Sequence, residues 1–256
     1  MDESRVPHAA APEAASPLVV ALFGLTFVTG IIDAVSFLGL GHVFTANMTG
    51  NVVLLGFALG GSADLSVGRS LAALCAFATG SVVGGRLTNE RQRTPAARQL
   101  LIAMHAETLL LCFAAGAALI AGGDTSFARL SPVIVLTAVA MGLRNAVVRK
   151  LAVPDLTTTV LTLTVTGLAA DSVLAGGPAP RSGRRLLSIL AMASGALIGT
   201  MLVRPLGLWV PLVVAACVVV GLAVYLYLGE WSTKCEDCAH VPPRGRALSF
   251  DTDVRS

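Results

Sequence analysis

The sequence predicts an all-α polytopic membrane protein, built as two inverted repeats with about six spanning helices and two short re-entrant or broken segments. Three observations predict it. Hydrophobic residues make up 55% of the chain, charged residues only 13%, and mean hydropathy is +0.78, a balance typical of chains that live in lipid. The apolar residues gather in runs of membrane-spanning length. Two of those runs open on a knot of polar residues that hydrocarbon could not satisfy.

Residues 1–16, MDESRVPHAAAPEAAS, are polar and rich in Ala and Pro. They show no basic n-region or cleavage pattern, so they read as a disordered tail ahead of a retained helix. Apolar runs follow at 18–40, 45–60, 66–85, 100–121, 130–148, 156–175, 186–203 and 206–228. The second is short and starts polar, and the sixth is rich in Thr. Arg149, Lys150 and Pro154 read as an interruption after the fifth. One transmembrane domain therefore covers 17–228, with repeat one at 17–121 and repeat two at 130–228; 229–256 reads as a cytoplasmic tail.

The repeats rest on three matches in the same order. Gly30-x-x-Asp33-Ala34-Val35 recurs as Gly142-x-x-Asn145-Ala146-Val147. The knot of Thr45, Asn47, Thr49 and Asn51 recurs as a tract from Thr157, Thr158 and Thr159 to Thr164. Gly80-x-x-x-Gly84 recurs as Gly195-x-x-x-Gly199. Basic residues then decide the orientation. Eight full spans would place Arg86, Arg91, Arg93, Arg98, Arg149, Lys150 and Arg204 outside. If the two knotted runs dip in and return, only Arg69, Arg129 and Arg204 remain outside. The positive-inside rule favours the second arrangement: six spans, cytoplasmic termini, and a second half inverted relative to the first.

Asp33 sits roughly 22 Å along the first run at 1.5 Å per residue, well inside the hydrocarbon. An intramembrane carboxylate marks an ion path, a proton relay or a buried pair, so Asp33 is either a site residue or a structural partner for a group such as Asn145. Glu107, in the fourth run, is a second proton or cation ligand candidate, or else a partner for Arg144. His105 lies two positions from Glu107, off its helix face, and reads as hydrogen-bonded or snorkelling. The knots place Asn47, Thr49 and Asn51 opposite Thr162 and Thr164. Such side chains cap half-helices, line a polar path or glue helices together. Half-helix N-termini pointing inward would favour an anionic group. His42 stands at the entrance. The paired glycines serve close helix packing.

The stretch GIIDAVSFLGLGHVFTANMTGNVVLLG resembles the signature of the DUF1275, or YoaK-like, family of bacterial membrane proteins, and GLRNAVVRKLAVPDLTTTVLTLT resembles that family's second motif. The resemblance implies about six spans and names no activity. Two positions depart from its pattern: Arg144 stands where a neutral polar residue is commoner, and Leu163 where Gly is usual.

No catalytic constellation, phosphate-binding loop or metal-ligand cluster emerges, so no enzyme activity, cofactor or metal is expected. Cys75, Cys112 and Cys217 lie in apolar runs and read as packing residues. Cys235 and Cys238 with His240 fall short of a four-ligand zinc set. The expected partners are the lipid bilayer and a small solute or ion, with no nucleic acid; a homo-oligomer is compatible with the sequence. The leading expectation is a transporter or channel in the bacterial inner membrane. Its site is Asp33, Asn47, Thr49, Asn51, Glu107, Asn145, Thr162 and Thr164, at the repeat interface near the midplane. The alternative is a non-transporting scaffold or sensor. The topology is testable: cysteines placed in the loops at 86–98 and 181–185 should resist an impermeant thiol reagent in intact cells. Ready labelling of either loop would overturn the six-span arrangement.

Overall fold

The computed structural model describes residues 17–90, 94–151, 161–177 and 182–239, with side chains to 229. The described residues are helical throughout, without strands: α1 (Pro17–Gly39), α2 (Met48–Leu59), α3 (Val67–Glu90), α4 (Ala96–Ala121), α5 (Phe127–Leu151), α6 (Leu161–Ala170), α7 (Ser182–Leu206) and α8 (Trp209–Ala239), with a short 3₁₀ turn at Val173–Ala175. Among the described residues six helices are long and apolar enough to cross a bilayer; α2 and the described part of α6 are shorter. At 1.5 Å per residue, the 12 residues of α2 extend roughly 18 Å, well short of a hydrocarbon core of about 30 Å. Large apolar side chains such as Phe57, Leu109, Phe113, Ile120, Leu190 and Met201 face outward. This is the surface of a multi-pass membrane protein, because water would not tolerate so much exposed apolar area.

Helix boundaries follow local chemistry. Gly122 and Gly123 have φ of 59° and 90°, and turn the chain between α4 and α5 in a conformation that a Cβ would oppose. Asp124 accepts from the Ser126 amide at 2.8 Å and starts α5. That amide holds the Asp124 carboxyl below its ordinary value, so the bond persists at neutral pH and is lost only when acid protonates the carboxylate. The expected interruption at Arg149 and Lys150 does not occur. The helix runs through both to Leu151, where cations at a helix C-terminus are favourable. Likewise α7 already begins at Ser182, so Arg184 and Arg185 lie in its first turn rather than in a loop. The expected break at Pro154, the Thr157–Thr159 tract and His240 lie outside the described residues. Cys235 and Cys238 fall on the C-terminal extension of α8.

The helices pack in matched pairs across the two halves. α1 packs on α7 and α5 on α3; α1 packs on α8 and α5 on α4; α2 lies on α3 and α6 on α7; α4 meets α8. Exchanging the halves therefore turns every one of these contacts into another that is also made. The halves interlock rather than sitting side by side, and α1 and α5 are innermost. Of their apolar windows 67% and 61% are buried, against 28% for α3 and 17% for α7.

Glycine makes the interlocking seams. On one seam Gly80 lies against the backbone of Val139, Gly84 against Leu143 and Ala146, and Gly142 against Phe77 and Ser81. On the other, Gly195 lies against Phe27, Gly199 against Ile31 and Ala34, and Gly30 against Met192 and Ala196. Each is a place where two backbones touch with no room for a Cβ. In lipid, where apolar side chains gain little by leaving one neighbour for another, such close approach supplies much of the association energy. Gly80→Leu and Gly195→Leu should each lower stability by about 1–3 kcal/mol or more. Gly56→Leu, where the surroundings are open, should be neutral or mildly stabilising. Thermal unfolding in detergent micelles measures all three.

Candidate functional site

Two polar features occupy the interior of the helix bundle, joined by one short loop. The first is a cluster of charges. Arg144 of α5 donates from Nη1 to Glu107 Oε1 of α4 at 2.8 Å, and both side chains are wholly buried. Its Nη2 donates to Thr29 Oγ1 of α1 at 2.5 Å and lies 3.0 Å from Met141 Sδ. Thr29 in turn donates to the Leu25 carbonyl at 2.9 Å. Asp33 follows Thr29 by one helical turn, so both face the guanidinium. It feels the Arg144 charge and lies beside the Ala46 backbone. Asp33 Oδ1, Glu107 Oε2 and Arg144 Nε are buried without a hydrogen-bond partner.

The second feature is the turn into α2. Gly41 and His42 have φ of 83° and 57° and swing the chain back from α1. Phe37 then stacks on Phe44 and meets His42 edge-on. Asn51, fully buried, clamps the loop: the Phe44 amide donates to its Oδ1 at 2.8 Å, and its Nδ2 donates to the Phe44 carbonyl. Asn47 caps α2 by accepting from the Gly50 amide at 3.2 Å. These two asparagines therefore shape the knot with their own side chains, which leaves Thr49 facing open space.

That space is a cavity of about 620 Å³ lined by the loop at 44–50, by Val53 and Leu54 of α2, by Phe77 of α3, by Leu161 and Thr162 of α6 and by Met192 of α7. Both knots reach it: Thr49 from one half and Thr162 from the other. The first turn of α2 and the start of α6 both border it. Ala46 lines the cavity and also lies beside Asp33, so the two features adjoin there.

The sequence-predicted residues thus fall into groups. Asp33 and Glu107 share Arg144. Asn47, Thr49 and Thr162 share the cavity. Asn51 is a loop clamp, and Thr164 is buried on α6. Asn145 lines a different cavity of about 510 Å³ with Phe77, Ser81, Arg149 and Lys150, while Lys150 itself bonds Asn89. His105 bonds the Leu101 carbonyl through Nδ1 at 2.6 Å. Cys75, Cys112 and Cys217 are free thiols on the outer surface. Among the described residues no group of three His, Cys, Asp or Glu is arranged to hold a metal. Two contributors were not expected from the sequence: Thr29, which anchors the guanidinium, and Phe44, which the Asn51 clamp holds. The cluster's charge count is testable. Arg144→Met leaves two carboxylates without a cation and should cost about 3–5 kcal/mol. Glu107→Gln leaves the guanidinium with Asp33 and should cost distinctly less. Thermal unfolding of the purified variants gives the ranking.

Comparison with known proteins agrees with this architecture. The chain is 36% identical over 149 residues to the UPF0700 transmembrane protein YoaK of Bacillus subtilis (strain 168), a match covering 57% of this chain and 64% of that relative's length. No solved structure matches the chain. Residues 21–225 match the family described as "Protein of unknown function (DUF1275)". With nearly the whole helical bundle inside that match, the chain belongs to the DUF1275 family.

Proposed function

We propose that the protein is a transporter or channel for a small solute or ion in the bacterial inner membrane, with both termini cytoplasmic. Its repeats are inverted, and its site is the cavity between the two short helices, near the midplane. The observation that carries this reading is the meeting of Thr49 and Thr162 in one cavity. Two short helices among the described residues, one from each half, bring polar side chains to the same space. Discontinuous helices that converge on a shared site are the usual construction of transporter binding sites. The matched helix pairs and the two glycine seams support the repeat relation. The bacterial relative and the basic-residue distribution support the membrane and the orientation.

The same geometry favours a class of solute. The N-terminal turn of α2, capped by Asn47, borders the cavity, so its free amides and positive dipole end point toward it. A small anion, or a solute with a carboxylate-like end, fits such a place better than a cation does. Cavity-lining hydroxyls add donors without adding charge.

Purified protein in proteoliposomes tests the reading. Uptake of small anions should exceed that of cations, and Thr49→Trp or Thr162→Trp should abolish it by filling the cavity. Cysteine at position 49 or 162 should react with a water-soluble thiol reagent, whereas cysteine at Leu163, an outward-facing position, should not. No uptake of any probe, with both cavity cysteines unreactive, would overturn transport and leave the scaffold or sensor reading in its place.

A further inference from the structure

We propose that Asp33 is a proton-binding site loaded from the cavity, and that Arg144 and Glu107 set the charge balance that puts the proton there. This deepens the transport reading, from which it takes the cavity as its access route.

Among the described residues, the buried charged side chains are Asp33, Glu107 and Arg144. Two carboxylates thus face one guanidinium in the bundle interior. With both ionised, one negative charge stays uncompensated in the bundle interior, an arrangement that costs several kcal/mol. The elements packed around Asp33 offer nothing to cancel it. α5 supplies Arg144, and α4 supplies Glu107 on that same guanidinium. The loop brings the Ala46 backbone. The nearby faces of α7 and α8 are Met192, Gly195, Ala196, Gly199 and Leu222; the buried polar residue of α7 is Ser188, and α8 has none among the described residues.

The two acids are not equivalent. Glu107 is 0% exposed, with one oxygen on Arg144 at 2.8 Å. The guanidinium's other terminal nitrogen is committed to Thr29. Asp33 has no such bond to the guanidinium: Oδ1 is unpartnered, as is Glu107 Oε2, and Asp33 is 9% exposed. It is also the acid that adjoins the cavity-lining loop at Ala46. One free carboxylate oxygen is enough for a proton, whereas a metal ion takes several oxygens at once. The proton therefore resides on Asp33, and Glu107 serves as the fixed counter-ion of Arg144. In a carrier for anions, a proton bound beside the anion's cavity offsets the charge moved.

Carbodiimide modification tests this without any transport assay. A membrane-permeant carbodiimide reacts with protonated carboxyls, and peptide mass spectrometry locates the product. Asp33 should be modified and Glu107 spared. Modification should fall as pH rises, by about tenfold per pH unit once the proton is leaving. Sodium at fixed pH should have no effect. Infrared spectra provide a second readout independent of reagent access: a protonated-carboxyl band present in the native protein should vanish in Asp33→Asn. Sodium protection of Asp33 would overturn the proposal in favour of a metal cation. So would modification of Glu107 instead, or the absence of a carboxyl band that Asp33→Asn removes. Asp33→Asn should also abolish the pH dependence of uptake. If no solute is taken up but Asp33 still carries its proton, the transport reading fails and the proton site stands.

Discussion

A guanidinium with no route to water organises the bundle. Arg144 lies on α5, and its two terminal nitrogens reach α4 and α1. In a medium without hydrogen-bonding solvent, an arginine that lost these partners would be left as an unpaired buried charge. The helices that supply Glu107 and Thr29 are thereby fixed in both rotation and depth relative to α5. Hydrocarbon alone does not fix either one. Apolar faces slide past one another at little cost, because a lipid tail is as good a neighbour as a leucine. The ion pair settles the register, and the glycine contacts then let the backbones close.

The seams carry the same constraint outward. Each glycine lies on the backbone of a helix from the other half, and the two seams use corresponding residues. Neither half could bury its glycine face alone, since an open groove would leave those backbones packed only against lipid. The innermost helices, α1 and α5, are each covered by helices of the other half. Consequently α3 and α7 are left outside, each with one short helix against it, and the cavity opens between those two layers.

Much of this was legible in the sequence, because lipid makes polar residues conspicuous. The apolar runs gave six long helices and two short ones, matching the structure. Asp33 and Glu107 stood out as carboxylates in hydrophobic surroundings. Arg144 was one candidate partner of Glu107, but a pair 37 residues apart is chosen by tertiary packing rather than by spacing. Thr29 gave no signal: a threonine in an apolar helix commonly bonds the carbonyl one turn back, as this one does to Leu25. Nothing in its sequence setting showed that its oxygen also accepts from Arg144. The clamp by Asn51 on Phe44 depends on the positive φ at His42, a backbone choice that a non-glycine residue does not advertise. Arg149 and Lys150 looked like a break because charge ends an apolar run. It does not end a helix, whose own hydrogen bonds continue until the backbone stops.

The division of labour among the knot residues follows from what each side chain has left to offer. Asn51 and Asn47 spend their oxygens on Phe44 and Gly50, and so hold the loop that carries Ala46. Ala46, having no polar side chain, contributes only its backbone, which lies beside Asp33. Asp33 thus adjoins the loop that lines the cavity. A movement of that loop would change the polar surroundings of the carboxylate. In a low-dielectric setting such a change is felt strongly, because no solvent rearranges to offset it. On the proposed reading, occupancy of the cavity and the charge state of Asp33 would be linked through this loop, and by thermodynamic reciprocity each would influence the other.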